Sequence, residues 1–384
     1  MFDDIDVTLD SLAKKFADRR DKHLGYPYNL DFDARPISQF TNFLINNLGD
    51  PYVGSHYATE VCDVEREVVD WMMRVWECPD PEEYWGVVGA SGTEGNLWAI
   101  YIARETLDNP VLIHSTEAHY SLPKAAKILR IEAVTCEADH SGAICQDALR
   151  EVIHANRHRS VILALTCGTT MKGAHDDIGC SIGALDQVGI DPSRRFIHVD
   201  GALNAMILPF VDESPSGIRP SFRHRVDSIS TSGHKMIGTP MPCGVLVARR
   251  EHVRRVASVV SYLRSDDTTL MGSRNGHAVL AIWNRLTRLG VAGFRQNAQI
   301  CIERAGDLAG ALRSAGVPVL LNPWSLTVVF PKPSERLVKE YQLACHGDSA
   351  HAIVMPNVKA DLIDRFVGDY TAESRCYSRQ KVHS

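Results

Sequence analysis

The sequence predicts an α/β protein, in which a mostly parallel central sheet carries helices on both faces and a smaller α+β domain follows. Three observations support this. Strand-like and helix-like segments alternate from about residue 58 to residue 230, the pattern of parallel strands joined by helical crossovers. Two strand ends run into turns rich in Gly, Ser, Thr or Pro, GVVGASGTEGN at 86–96 and SGHKMIGTPMPCG at 232–244, where sheets of this kind bind ligands. At 384 residues, 45% hydrophobic and 23% charged, the chain has room for one large α/β unit and a smaller appendage.

Residues 1–57 hold GYPYNLDFDARP and NNLGDPYVGSHY, with Pro and Gly too closely spaced for long regular elements, and are expected to form an arm or cap. The large domain, 58–265, opens on a helix-like segment at 64–76, a strand at 85–88, a helix at 94–106 and a strand at 111–114. A helix near 122–129, a strand near 131–136 and a helix near 145–156 follow, then a strand at 161–166, a helix at 181–188 and strands at 196–200 and 226–230. In the small domain, 266–384, Val279, Ile282, Trp283 and Leu286 share one face of an amphipathic helix, and a second helix covers 296–314. Strand-like pieces at 318–321 and 325–330, a helix near 334–342 and a strand at 351–355 complete it. The tail from about Thr371 is polar and mixed in charge, and is expected to be mobile.

Composition narrows the function. A net charge of -6 gives no basic footprint for nucleic acid. Ten cysteines form neither a CxxC pair nor a Cys/His ligand spacing, and no secretory n-region opens the chain, so reduced thiols in a cytoplasmic protein are expected. No apolar run approaches the ~18 residues of a membrane span, and no internal repeat is present.

Residues 226–244, VDSISTSGHKMIGTPMPCG, carry an apolar strand into Ser232, Gly233, His234 and Lys235. A lysine on a strand end among small and hydroxyl residues suits a Schiff base to pyridoxal phosphate, because the amine must be partly desolvated to be nucleophilic. Alone, the tetrapeptide is a weak signal, and a solvated loop lysine is its default reading. FIHVDGA at 196–202 ends a very apolar strand on Asp200, a costly place for a carboxylate unless a cation such as a protonated pyridine nitrogen faces it; a turn or cap aspartate is the alternative. At 86–96 the glycine-rich start of a helix is either a phosphate cradle or a plain N-cap. His119, in STEAHYSLPKAAKIL, follows a strand and is placed to stack on a cofactor ring or to sit satisfied in the core. Order favours the functional readings: a glycine-rich helix start, a strand-end Asp, and a strand-end Lys 35 residues later. The other histidines show no metal spacing, and no metal is expected.

SGTEGN at 91–96, HYS at 119–121, GTT at 168–170, VDGAL at 199–203, SGHKMIG at 232–238, PMPCG at 240–244 and MGSRNGH at 271–277 occur in that order. Together they resemble the pyridoxal-phosphate group II decarboxylases, in the branch of the shorter bacterial histidine decarboxylases and plant serine decarboxylases. The likeness extends from GYPYNLDFD at 25–33 through TVVFPKPSER at 327–336 to QLACHGDSAH at 342–351. It implies a fold-type I enzyme, similar to aspartate aminotransferase, with pyridoxal 5'-phosphate as cofactor and a homodimer sharing its active sites. Carried over, it makes Lys235 the Schiff-base lysine, Asp200 the partner of the ring nitrogen and His119 the ring-stacking base. Ser91, Gly92, Thr93, Ala202, Ser232 and His234 would hold the cofactor and its phosphate, and Thr269, Gly272 and Ser273 would reach the cofactor of the other subunit. The implied reaction is loss of the α-carboxylate from a small polar L-amino acid, with the proton returned by His119, Lys235 or the loop residue Tyr262. GYPYNLDFD, NNLGDP at 46–51 and QLACHGDSAH with VMP at 354–356 lean toward serine; AMILPF at 205–210 and SGHKMIG lean toward histidine.

The chain also departs from that family. Gly89, Ala90 and Ser91 replace its Thr-Asn followed by Gly or Cys, Cys167 precedes GTT where Ile is common, and Ser265, Asp266 and Asp267 follow Tyr262. GSHYATEVC at 54–62 matches neither branch, which makes Ser55, His56 and Tyr57 candidates, with Tyr262, for lining the substrate pocket; capping and core packing compete for the first three. These departures motivate a second reading, oxidative deamination coupled to decarboxylation, or β-elimination from a substituted serine or cysteine. A non-catalytic binding homologue is a third, and intact Lys235, Asp200 and His119 argue against it.

Overall fold

The computed structural model describes residues 5–260 and 265–381. Helix α1 (Ile5–Arg20) buries none of its residues. An irregular segment leads through strand β1 (Asn46–Leu48) to α2 (Cys62–Val75), whose Val68, Val69, Met72 and Met73 enter the core. There follow β2 (Tyr84–Gly89), α3 (Gly92–Thr106), β3 (Pro110–Ser115), α4 (Ser121–Leu129), β4 (Glu132–Cys136) and α5 (Gln146–Ala155). Next come β5 (Ser160–Thr166), α6 (Ile178–Val188), β6 (Arg195–Asp200), β7 (Ser228–Ser232), β8 (Gly244–Arg249) and the short α7 (Arg250–Val253). The remainder is β9 (Ser258–Val260), β10 (Ser265–Asp267), β11 (Ser273–Asn275), α8 (Gly276–Ser314), β12 (Leu320–Leu321), β13 (Thr327–Pro331), α9 (Glu335–Glu340), β14 (Ala344–His346), β15 (Ser349–Ile353) and α10 (Ala360–Lys381).

The central sheet has the order β2-β8-β7-β6-β5-β3-β4. Strands β7, β6, β5, β3 and β4 run parallel, while β8 is antiparallel to both of its neighbours. Both faces of such a sheet are covered, so β5 reads SVILALT and is buried at every position. Alternate residues serve opposite layers: Val161, Leu163 and Leu165 join one core, Ile162 and Ala164 the other. The second core is closed by Trp98, Ala99, Ile102 and Ala103 of α3, which lays that helix across β6, β7 and β8.

The smaller sheet, β12-β13-β15-β14, is wholly antiparallel. Phe330, Phe366 and Tyr370 pack together beneath it. The N-terminal segment is bound to this unit: Leu24 donates to the Tyr341 carbonyl at 3.1 Å and accepts from Ile353 N–H at 2.8 Å.

Besides the short strands β1, β9, β10, β11 and β14, which it lacked, four larger features differ from the sequence reading. The first arm residues form α1, and Thr371–Lys381, expected as a mobile tail, continue α10. GVLVAR forms β8, which the sequence reading lacked; residues 233–243 are too few for the crossover that a parallel return needs, so the chain doubles back. The two helices expected after residue 276 are one element, α8, interrupted at Gly290, whose φ of +57° suits glycine.

Candidate active site

A cavity of about 420 Å³ opens where Thr166, Asp200 and Ser232 end β5, β6 and β7, beside the first residues of α3. The small unit and the arm close its outer side with Thr327, His351, Tyr26 and Tyr28. Of the residues singled out from sequence, Ser91, Gly92, Thr93, His119, Asp200, Ala202, Ser232, His234 and Lys235 all line this one cavity.

Helix α3 begins sharply. Ser91 is extended, at φ -174°, and its hydroxyl accepts from Glu94 N–H at 3.2 Å while the Glu94 carboxylate turns back to Ala90 N–H. Helix geometry leaves the N–H groups of Gly92 and Thr93 without intrahelical partners, ready for an anion. A Cβ on Gly92 would lie 2.5 Å from Ser232 Oγ, so only glycine keeps this corner open.

Lys235 follows β7 in the turn Gly233–Ile237 and is half-buried. Burial pushes its amine below the usual lysine range, and the Asp200 carboxylate pulls the other way. His234 stands beside it, its Nδ1 receiving the Cys243 N–H at 3.3 Å, with its ring 5.8 Å from that of Tyr28. Burial, and then Lys235, hold the His234 pKa down.

Asp200 is 3% exposed. Its Oδ1 accepts from Ala202 N–H at 3.1 Å and its Oδ2 from Asn96 Nδ2 at 2.7 Å. The same Asn96 nitrogen donates to Ser121 Oγ at 2.8 Å, and Ser121 Oγ lies 2.8 Å from His119 Nδ1. Asn96 Oδ1 is met by His198 Nε2 at 2.9 Å and by Ser230 Oγ at 3.0 Å, and His198 Nδ1 by Ser228 Oγ at 2.9 Å. Burial lowers His119 below the usual imidazole range, with Asp200 opposing.

Asn96, Ser121 and His198 were quoted in motifs but given no role from sequence. His198 carried a legible signal: it lies two residues before Asp200 on one strand, hence on the same face, inside an apolar run where it had to find partners. Thr166 and His351 also line the cavity unforeseen.

Other sequence candidates lie elsewhere. Ser55 and Tyr57 are half-buried and His56 is exposed, none of them lines the cavity, and the Tyr57 hydroxyl donates to the Leu44 carbonyl at 2.7 Å. Thr269, Gly272 and Ser273 precede or open β11, away from the cavity of their own chain; Thr269 Oγ1 donates to Asp267 at 2.5 Å. Tyr262 lies outside the described residues.

Pyridoxal phosphate fits what is present. Asp200 is a buried carboxylate that, among the described residues, makes no ion pair within 4 Å, as a partner for a protonated ring nitrogen should be. Thr166 Oγ1 is buried at the cavity wall without a partner among the described residues, Gly92 keeps the corner beside Ser232 open, and burial lowers the basicity of the Lys235 amine.

Comparison with known proteins agrees. Residues 34–329 match the family described as the pyridoxal-dependent decarboxylase conserved domain. The chain is 44% identical over 360 residues to serine decarboxylase 1 of Oryza sativa subsp. japonica, covering 93% of this chain and 73% of that protein. It is 39% identical over 361 residues to histidine decarboxylase of Acinetobacter baumannii, covering 94% and 93%. Among solved structures, L-methionine decarboxylase from Streptomyces sp.590, in complex with L-methionine methyl ester, superposes with a TM-score of 0.88 at 26% identity, covering 97% of this chain and 95% of that one.

Proposed function

Because the chain belongs to the pyridoxal-dependent decarboxylases, as an amino-acid decarboxylase that uses pyridoxal 5'-phosphate, we propose that its substrate is a small polar L-amino acid, L-serine before L-histidine. The observation that carries the preference is the 44% identity to a serine decarboxylase across 93% of the chain, against 39% for a histidine decarboxylase. The cavity wall formed by the arm and the small unit supports it, since Tyr26, Tyr28 and Thr327 bring hydroxyl groups to the cavity that a substrate hydroxyl can meet. A site built to bond a hydroxyl rejects analogues that lack it far better than an apolar pocket senses size.

In this reading Lys235 carries the cofactor. Gly92 and Thr93 at the start of α3, with Ser91, Ser232 and His234, would hold its phosphate, and Ala202 would line its site. The cofactor, when bound, supplies an electron sink for the charge left on the α-carbon as carbon dioxide departs. Asp200 holds a proton on the ring nitrogen, and its own position is held by the N–H groups of Asn96 and Ala202. Burial keeps the Lys235 amine less basic than a surface lysine, so more of it is available as a nucleophile near neutral pH. His119 faces the same cavity, and burial favours its uncharged ring.

The partner in this reading is a second copy of the chain. Its support is apolar surface left bare: Ile5, Leu9, Leu12 and Phe16 share one face of α1, Val259 is exposed within β9, and Leu44 and Met271 are exposed just before β1 and β11. Thr269, Gly272 and Ser273 lie in that exposed region, where a neighbouring subunit's cavity would receive them. Among the described residues nine cysteines are unpaired, which suits the reducing cytoplasm, and no helix is long and apolar enough to cross a membrane.

Carbon dioxide release from L-serine and from L-histidine, measured under identical conditions, tests the substrate. Faster turnover of serine supports the proposal, and much faster turnover of histidine overturns it. If neither reacts while a substituted serine or cysteine does, the enzyme is the specialised one that the departures at 54–62 and 89–91 suggest.

A further inference from the structure

Between Asp200 and His119 runs an unbroken series of hydrogen bonds with Asn96 at its centre, buried as far as Ser121 and partly buried at His119. The Asn96 amide has two donors and two acceptor sites, and each meets one partner: Asp200, Ser121, His198 and Ser230. Asp200 as a carboxylate only accepts, so the Asn96 atom facing it is the nitrogen, and the oxygen is left to His198 and Ser230. Everything further along is then determined.

On one side, the Asn96 oxygen requires a proton on His198 Nε2, and His198 Nδ1 takes the Ser228 hydroxyl at 2.9 Å. This histidine is neutral, in keeping with a buried ring whose pKa is lowered to about 4. On the other side, Ser121 Oγ accepts the second N–H of Asn96, and its own proton turns to the neighbour that remains, His119 Nδ1 at 2.8 Å. The Ser121 backbone N–H approaches the same nitrogen at 3.3 Å. Two donors converge on Nδ1, which therefore bears the lone pair. The ring proton sits on Nε2, which has no partner among the described residues, in a side chain that lines the cavity.

We infer that Asn96 is a positioning residue which, through Ser121, locks His119 in its neutral Nε2–H form, so that His119 offers the substrate's anionic group a hydrogen-bond donor and not a basic nitrogen. A neutral imidazole that surrendered its one proton would become an imidazolate, far from any working pH, and it gains a second only if both Ser121 donors turn away from Nδ1. The proton returned to the α-carbon then comes from another group. The inference rests on His119 facing the substrate, but its test involves no substrate, so it stands or falls apart from the choice between serine and histidine.

The test is nitrogen NMR of the cofactor-loaded enzyme carrying ¹⁵N-labelled histidine, with the His119 signals identified by their loss in His119→Gln. Near neutral pH, His119 should show an unprotonated Nδ1 and a protonated Nε2. Ser121→Ala removes the hydroxyl donor and should move the Nδ1 signal toward the protonated position, and Ser121→Thr, which keeps a hydroxyl, should restore it. Asn96→Asp replaces the donor to Ser121 with an acceptor, draws the serine proton away from His119 and should move Nδ1 the same way; the Ser121 pair carries the test by itself if a second carboxylate beside Asp200 prevents folding. A wild-type ring protonated on Nδ1, or ring signals unmoved in Ser121→Ala, overturns the inference.

Discussion

Arg274→Met should destabilise the protein severely, and the reason lies in a buried ion pair remote from the cavity. Arg274 on β11 reaches Glu65 on α2, with side chains 3% and 0% exposed. The Glu65 carboxylate also accepts from Asn47 Nδ2 at 2.7 Å and from Val88 N–H at 2.8 Å. Arg274 in turn donates from Nε and Nη2 to the Gly49 carbonyl at 3.2 and 2.8 Å. The cluster joins β1, β2, β11 and α2 at one point. Removing the guanidinium leaves a buried carboxylate with only two neutral donors and strips two donors from Gly49, a one-sided break that typically costs about 3–5 kcal/mol. Adding Glu65→Gln removes the stranded charge, and the double variant should recover to within about 2 kcal/mol of wild type. Equilibrium urea unfolding of the cofactor-loaded enzyme, followed by tryptophan fluorescence, measures both. A single variant that loses under about 1 kcal/mol, or a double variant no more stable than the single, refutes the view that the uncompensated charge dominates.

Three other outcomes are expected. Lys235→Ala should leave no cofactor attached after borohydride treatment and denaturation, and persistent attachment would assign the link to another lysine. Gly92→Ala, whose Cβ would lie 2.5 Å from Ser232 Oγ, should weaken cofactor binding by at least ~10-fold, about 1.4 kcal/mol, in equilibrium dialysis with the fold kept; unchanged affinity removes the phosphate from that corner. Burial holds His23, His175 and His198 down to about 4, from 6.5, and Asp176 up to about 6, from 3.8. Between roughly pH 6 and 4, unfolding therefore takes up three protons on these histidines and releases one from Asp176, so these four groups alone should make stability fall on acidification by about 2.7 kcal/mol per pH unit where all are in that regime, and the lowered His119, His234 and His351 add to the fall. Urea titrations across that window that show no slope contradict this balance.

What the sequence made legible follows from where each constraint resides. Continuous apolar runs such as SVILALT announce strands buried on both faces, and the alternation with helices announces their parallel pairing. The return strand β8 was hidden because Pro240, Pro242 and Gly244 read as loop, and periodicity says nothing of strand direction. Helix α1 has apolar residues at positions 5, 9, 12 and 16, a helical spacing masked by the glycine- and proline-rich stretch after it. Lys235, Asp200 and Gly92 stand in local motifs whose residue types already state a chemistry. Ser121 and His198 act only because α3 crosses β6 and β7 at Asn96, a tertiary relation that no window of sequence contains.

The polar ladder on β6 and β7 also bears on how the chain finds its fold. His198 stands opposite Ser228 and Asp200 opposite Ser230 in the parallel register. If β7 slid by one residue, Ile229 would face Asn96, and the hydroxyls that cap His198 and Asn96 would turn into the opposite, apolar layer. Each buried polar group left without a partner costs about 1–3 kcal/mol, so a misregistered sheet is penalised by the atoms that organise the cavity. The same polar groups would thus select the native strand pairing as the chain folds, before any cofactor arrives. Replacing Ser228 and Ser230 with apolar residues should accordingly lower the yield of native protein on refolding more than it lowers the stability of molecules that do reach the native register.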